Sequence, residues 1–269
     1  MEAKREERKR EFAAKREAKQ NIENANQALG YDKIDAEFQV LMEKSRIKPE
    51  RAQPHLPSLG MNIYVCVRKR PIFQKELVEG QIDCVSVANP IIRVGEPKYK
   101  IDGITKYIDP NDNIFDNSFG DQSQTEDLYV NSVQPLLPSL FQNGVVTFFA
   151  YGQTGSGKTH TMVGVQELMV RDIYDMAAGQ YASLSPQFSI SFYEIYGGQL
   201  FDLLNNRKKL KVLEDRNSRI QIKGLEEVDV SSEDELNQAI EYGNSIRTTK
   251  ATQANDTSSR SHAVCQIKV

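Results

Sequence analysis

Gly152-Gln153-Thr154-Gly155-Ser156-Gly157-Lys158-Thr159 carries the clearest chemistry in this chain. It satisfies the pattern G-x-x-x-x-G-K-[ST], in which backbone N–H groups wrap a polyphosphate. Glycines at 152, 155 and 157 allow positive φ, so successive N–H groups can turn inward onto an anion. Lys158 would place a point charge on the outer phosphates, and the Thr159 hydroxyl would hold Mg²⁺. A glycine-rich surface turn could show the same letters, so the preceding residues matter. Residues 145–151 read Val-Val-Thr-Phe-Phe-Ala-Tyr, the nearly continuous apolar run of a strand buried on both faces of a parallel sheet. After the loop, a helix over residues 158–178 would aim its N-terminal dipole at the anion, although Gly164 weakens its middle. Strand, loop and helix together predict a nucleoside-triphosphate site.

The elements that must position this loop can be followed along the chain. Residues 2–20 are mostly Ala, Glu, Lys, Arg and Gln, with eight basic against five acidic residues over 1–20. Good helix formers without an apolar stripe predict a solvated helix or a disordered arm of local positive charge. Ile34, Phe38, Leu41 and Met42 recur at helical spacing and predict a short amphipathic helix over 35–45. Pro49, Pro54, Pro57 and Gly60 break that pattern. The division expected is a charged helical arm and linker over 1–60 and one α/β domain over 61–269. Within the domain, strands are predicted at 62–68, 82–87 and 91–94, with a hairpin tip bounded by Gly95, Pro97 and Gly103. A proline-interrupted helical stretch covers 124–142. Residues 188–196 form a long strand with Phe188, Ile190, Phe192 and Glu194 on one face. A hairpin at 210–222 turns at Asn217-Ser218. Ser232 and Glu235 begin a capped helix, and a last strand follows His262.

Composition narrows the class. Apolar content of 39% and charged content of 26% permit a sizeable core, and the net charge of −3 argues against a nucleic-acid partner. Cys66, Cys84 and Cys265 are few, odd in number and widely spaced, which favours reduced thiols over a disulfide framework. No apolar run reaches the ~18 residues of a membrane span. The setting expected is intracellular, without membrane or metal cluster.

Three further segments narrow the nucleotide site to a family. Tyr151 to Met162, Asn255 to His262 and Arg68-Lys69-Arg70-Pro71 together resemble the phosphate loop, first switch loop and purine-contacting motif of the kinesin motor domain, in that order. Phe192-Tyr193-Glu194-Ile195-Tyr196 with Asp202-Leu203-Leu204 resembles a further landmark of the family. The likeness covers residues 61–269. It implies a P-loop NTPase of kinesin type, with a central, mainly parallel mixed sheet flanked by helices and a helical neck ahead of it. It also implies that Gly152, Gln153, Thr154, Gly155, Ser156, Gly157, Lys158, Thr159 and His160 contact ATP. Adenine would pack on Arg68, Arg70 and Pro71. Ser258 and Ser259 would close on the γ-phosphate, Thr159 and Ser259 would order Mg²⁺, and Asn255 would position the γ-phosphate side. Arg260 would pair with a glutamate of the second switch.

Within that family the chain resembles the internal-motor group, kinesin-13, which depolymerises microtubules. Val65 to Pro71, Leu213-Glu214-Asp215 and Phe201 to Leu204 carry this likeness. Lys100-Ile101-Asp102 stands where that group has a Lys-Val-Asp hairpin tip that reaches tubulin, and Val to Ile keeps the β-branch. The resemblance implies a microtubule-stimulated ATPase in the cytoplasm and on the microtubule cytoskeleton, the spindle among its settings. It is also compatible with a homodimer formed through regions outside this chain. Two features depart from the pattern. The second switch and the helices after it would follow Val269, so the sequence is expected to be part of a longer product, incomplete at its C-terminus. The stretch 162–171 is also shorter than its counterpart. The missing second switch leaves open a nucleotide- and tubulin-binding regulatory module without turnover; a stepping transport kinesin is a further alternative, disfavoured by the neck ahead of the motor and by the Lys-Ile-Asp hairpin.

Overall fold

A computed structural model describes residues 2–48, 54–58, 60–251 and 261–269. They fall into two compact units, one of Met1–His55 with Ile63–Ser123 and one of Leu56–Asn62 with Gln124–Val269.

In the first unit, helix α1 (Glu2–Ala28) is long and largely exposed, as its composition requires. Near its end Asn26 is buried and donates Nδ2 to Gln39 Oε1 at 3.0 Å. Gln39 belongs to α2 (Ala36–Ser45). Asp35 caps α2, with Oδ1 accepting from the N–H groups of Glu37 and Phe38. Ile34, Phe38 and Met42 are buried, so the predicted apolar face is the packed one. β1 (Cys66–Arg68) pairs in parallel with β5 (Asn117–Phe119). The short α3 (Gln74–Val78) follows β1. β2 (Val85–Ala88), β3 (Ile91–Tyr99) and β4 (Lys106–Ile114) form an antiparallel meander.

The hairpin tip lies further out than the glycine and proline signals predicted. Gly95 and Pro97 run inside β3, and the turn occupies residues 100–105. Gly95 serves packing there: a Cβ at that position would stand 2.6 Å from Met42 Sδ of α2. Pro97 is tolerated because β2 pairs β3 only as far as Val94, which leaves that edge open.

In the second unit, α4 (Thr125–Ser132) runs into a 3-10 helix (Gln134–Gln142), broken from α-geometry at Pro135 and Pro138. α5 (Lys158–Ala178) matches its predicted span. Gly164 in its middle allows α4 to approach, since a Cβ would lie 2.9 Å from Thr125 Cγ2. Tyr129 of α4 donates its hydroxyl to Asp172 Oδ2 of α5 at 2.7 Å, and Gln134 donates to the same oxygen. β6 (Phe188–Tyr196) is the buried centre of the sheet. β11 (Ser261–Lys268) pairs with β6 along its length. β6 also pairs with β10 (Val228–Val230) and with β7 (Gln199–Asp202), from which the order continues to β8 (Lys208–Glu214) and β9 (Ile220–Lys223). α6 (Glu233–Ala251) lies against β6, where Gly243 leaves room for the Phe192 ring. Leu137, Val170, Ile173, Ile190, Leu203 and Leu236 make the core.

The mixed α/β class expected from the sequence holds, with two corrections of detail. Among the described residues the parallel pairing is β1 with β5, and the other ladders are antiparallel, so the sheets are not mainly parallel. Residues 145–151 do not form the predicted buried strand. Val145, Phe149 and Tyr151 are 92%, 83% and 97% exposed. Such a strand needs ladder partners on its edges and helices over its faces, and no described strand pairs with it.

Candidate functional site

The phosphate loop is shaped by its glycines. Gly152, Gly155 and Gly157 all take positive φ, at 152°, 82° and 92°, and Gly157 caps α5 in the left-handed conformation. Gly152 is also constrained by space, since a Cβ would meet Ser156 Oγ at 2.6 Å. That hydroxyl is buried and has no hydrogen-bond partner. Lys158 folds back over the loop, donating Nζ to the carbonyls of Gly152 at 2.7 Å and Gln153 at 2.8 Å. Its ammonium is therefore held against the backbone of the loop. Gln153, Thr154 and the side chains of Thr159 and His160 face solvent. The N–H groups of the first turn of α5, the Lys158 ammonium and the unpartnered Ser156 hydroxyl form a donor set whose chemistry fits a polyphosphate anion. Thr159 is open to a bound cation. Among the described residues there is no cluster of carboxylates, histidines or cysteines that could hold a metal by itself.

The other predicted contacts lie on separate elements. Arg68, Arg70 and Pro71 belong to the first unit, at the end of β1 and just beyond it. Arg68 donates to the Ser123 carbonyl. Arg70 forms a two-point ion pair with Glu76 of α3, at 2.5 and 2.8 Å, and lies 4.2 Å over the Phe73 ring. Hydrogen bonds from Arg70, with one from the Phe73 N–H, pull the Glu76 carboxyl down to about 2. Arg70 and Pro71 are thereby held in one orientation by α3.

The switch residues Asn255, Ser258, Ser259 and Arg260 lie outside the described residues. What precedes and follows them is described, and it includes a residue the sequence reading missed. Arg247 of α6 donates Nη2 to the backbone carbonyl of Ser261 at 3.3 Å and also reaches its hydroxyl. Ser261 opens β11 and is buried. These bonds tie Arg247, near the end of α6, to the beginning of β11. An isolated arginine late in a helix gives no sequence signal for this. A second missed pair is Glu194 of β6, buried and accepting from Arg207 Nε at 2.6 Å.

Lys100, Ile101 and Asp102 occupy the tip of the β3–β4 hairpin, with Ile101 and Ile104 exposed. Asp102 builds the turn. Its Oδ1 accepts from the N–H groups of Ile104 and Thr105, and its Oδ2 from the Thr105 hydroxyl at 2.5 Å. These bonds, the Thr105 hydroxyl first, hold its carboxyl at about 2. Two cross-strand ion pairs stiffen the stem, Arg93 with Asp112 and Lys98 with Asp109. The three cysteines are free, and burial pushes Cys265 up to about 12, which makes it an inert thiol.

With this geometry in view, comparison with known proteins is informative. Residues 68–269 match the family described as the kinesin motor domain. The chain is also similar to the protein named diatom spindle kinesin-1 from Cylindrotheca fusiformis, 39% identical over 274 residues and covering 99% of this chain. The chain spans 43% of that relative's length.

Proposed function

Since the chain belongs to the kinesin motor-domain family, we propose that it serves an ATP-dependent microtubule motor of the depolymerising kind. Kinesin motor domains are microtubule-stimulated ATPases, and the observation that carries the nucleotide half of the reading is the loop itself: three left-handed glycines under the Lys158 ammonium. Lys158 is to exchange the carbonyls of Gly152 and Gln153 for the outer phosphates of ATP, while the N–H groups of 153–159 cradle the chain. Thr159 and Ser259 would hold Mg²⁺, which when bound neutralises phosphate charge. Ser258, with Asn255, would close on the γ-phosphate, and Arg260 would latch the switch. Adenine would rest on the edge that Arg70 and Pro71 present. Phosphoryl transfer asks mainly for such positioning and charge neutralisation.

The hairpin supports the depolymerising assignment within the family. Its stiffened stem carries Lys100, Ile101 and Asp102 outward, with Asp102 shaping the turn that displays its neighbours. Tubulin, an acidic partner, would meet this tip, and the basic α1 would add salt-sensitive attraction. Residues 1–60 then act as arm, neck and linker for a motor domain over 61–269. The name of the diatom relative makes the spindle the first setting to examine.

Shortening of stabilised microtubules by the chain in ATP, followed by fluorescence microscopy, tests this reading. The double variant Lys100→Ala, Asp102→Ala, with a thermal melt like the parent's, should abolish shortening. Undiminished shortening by that variant, or directed runs by the parent, would contradict the depolymerising assignment.

A further inference from the structure

The N-terminus of α2 touches the hairpin at the last rung before its tip. Asp35 uses its two oxygens for different tasks. Oδ1 accepts from the Glu37 and Phe38 N–H groups at 3.0 and 3.1 Å, capping α2, and Oδ2 accepts from Lys106 Nζ at 2.5 Å. Lys106 pairs in register with Tyr99, and the tip begins immediately beyond. The Phe38 ring stands edge-on to Tyr99, with centroids 5.4 Å apart, while Lys106 Nζ lies 5.0 Å over the same ring. Glu37 adds a second carboxylate, 3.5 Å from Lys106. The Lys106 side chain is 17% exposed and that of Asp35 is 38% exposed, so the link is partly shielded from water. The other end of α2 is fixed as well. Arg46 donates to the Asp83 and Val85 carbonyls, and Arg93 of β3 donates to the Ser45 carbonyl.

We propose that Asp35 and Phe38 are positioning residues and that α2 is a splint for the hairpin. Held at both ends, α2 grips the Tyr99–Lys106 rung and fixes the direction in which Lys100, Ile101 and Asp102 project. Through Asn26 and Gln39 the same splint joins α1 to the tip. A chain that binds one partner surface with α1 and another with the tip would therefore present the two in fixed geometry. The use of the held tip against tubulin rests on the function proposed above, whereas the splint does not.

Hydrogen–deuterium exchange of the whole 269-residue chain tests it without tubulin. Asp35→Asn keeps an acceptor for the cap and removes the charge opposite Lys106. Lys106→Met removes the ammonium and leaves the cap untouched. Each should raise exchange of amides 99–108 roughly fivefold, with α2 as protected as in the parent. Because both variants break one contact, the double variant should exceed the larger single effect by no more than about twofold. Unchanged exchange in both single variants, or effects that multiply fully in the double variant, would overturn the splint. Failure of the parent to shorten microtubules would instead sink the depolymerising reading and leave the exchange result standing.

Discussion

The hairpin and the phosphate loop are held in opposite ways. The β3–β4 hairpin is gripped largely from outside itself, by Asp35 and Phe38 at one end of α2 and by the Ser45 carbonyl, which accepts from Arg93, at the other; ion pairs between its own strands add to this. The loop at 152–157, with 145–151 ahead of it, is held by its own atoms. Lys158 bonds to two carbonyls within the same turn, and Val145, Phe149 and Tyr151 before it stand in solvent. If the tip pushes against a large partner, as proposed above, stiffness fixed in advance would serve it. A cradle that must exchange its own hydrogen bonds for those of a ligand needs its donors loosely committed. The contrast is thus between a hairpin braced in advance and a loop held by its own atoms.

The largest effect expected is on the stiff side. Phe38→Ala removes a buried ring from beneath the hairpin and should cost about 3 kcal/mol, read by urea unfolding monitored through the hairpin amides. Protection of 145–157 should be unchanged, and a loss there of similar size would break the contrast. Limited digestion comes next. Chymotrypsin should cut after Tyr151 and Phe149 at least about tenfold faster than after Tyr99, because Tyr99 lies in a ladder and the other two do not. ATP with Mg²⁺ should slow the first two cuts and leave the third unaffected.

Acid also separates the two regions. Glu76 and Asp102 both sit at about 2 in the folded chain, below their ordinary 4.5 and 3.8. A carboxyl whose folded pKa is lowered binds fewer protons folded than unfolded, so its contribution is present above the ordinary value and is lost as pH falls. Between pH 4.5 and 2 the tip and α3 should lose protection, after correction for intrinsic exchange. Residues 145–157 contain no Asp or Glu and should show no such midpoint. The smallest effect is that of Lys98→Ala. Its partners Asp109 and Glu96 are solvent-facing, so tip exchange should change by less than about twofold.

Much of this molecule was legible in its sequence wherever local rules decide. The glycine spacing of the loop, the apolar stripe of Ile34, Phe38 and Met42, the one-face pattern of Phe188 to Glu194 and the prolines after α4 all read correctly. Each depends on residues a few positions apart. What was not legible depends on distant partners. The run 145–151 reads as a buried strand because it is apolar, but burial requires neighbours, and nothing local reveals whether they pair with it. Gly95 and Pro97 look like turn residues until Met42 is found against the one and a bare edge beside the other. Arg247, Arg207 and Lys106 are unremarkable letters, and their partners Ser261, Glu194 and Asp35 lie 14, 13 and 71 residues away. Asn255, Ser258, Ser259 and Arg260 rest on motif order alone.

Titration of the chain with a fluorescent ATP analogue and Mg²⁺, beside Lys158→Ala, tests the central claim most directly. The account predicts saturable binding by the parent and a loss of affinity of at least about 100-fold in the variant, because the loop's cation is gone. Superimposable titrations for the two proteins, or no binding by the parent, would contradict it.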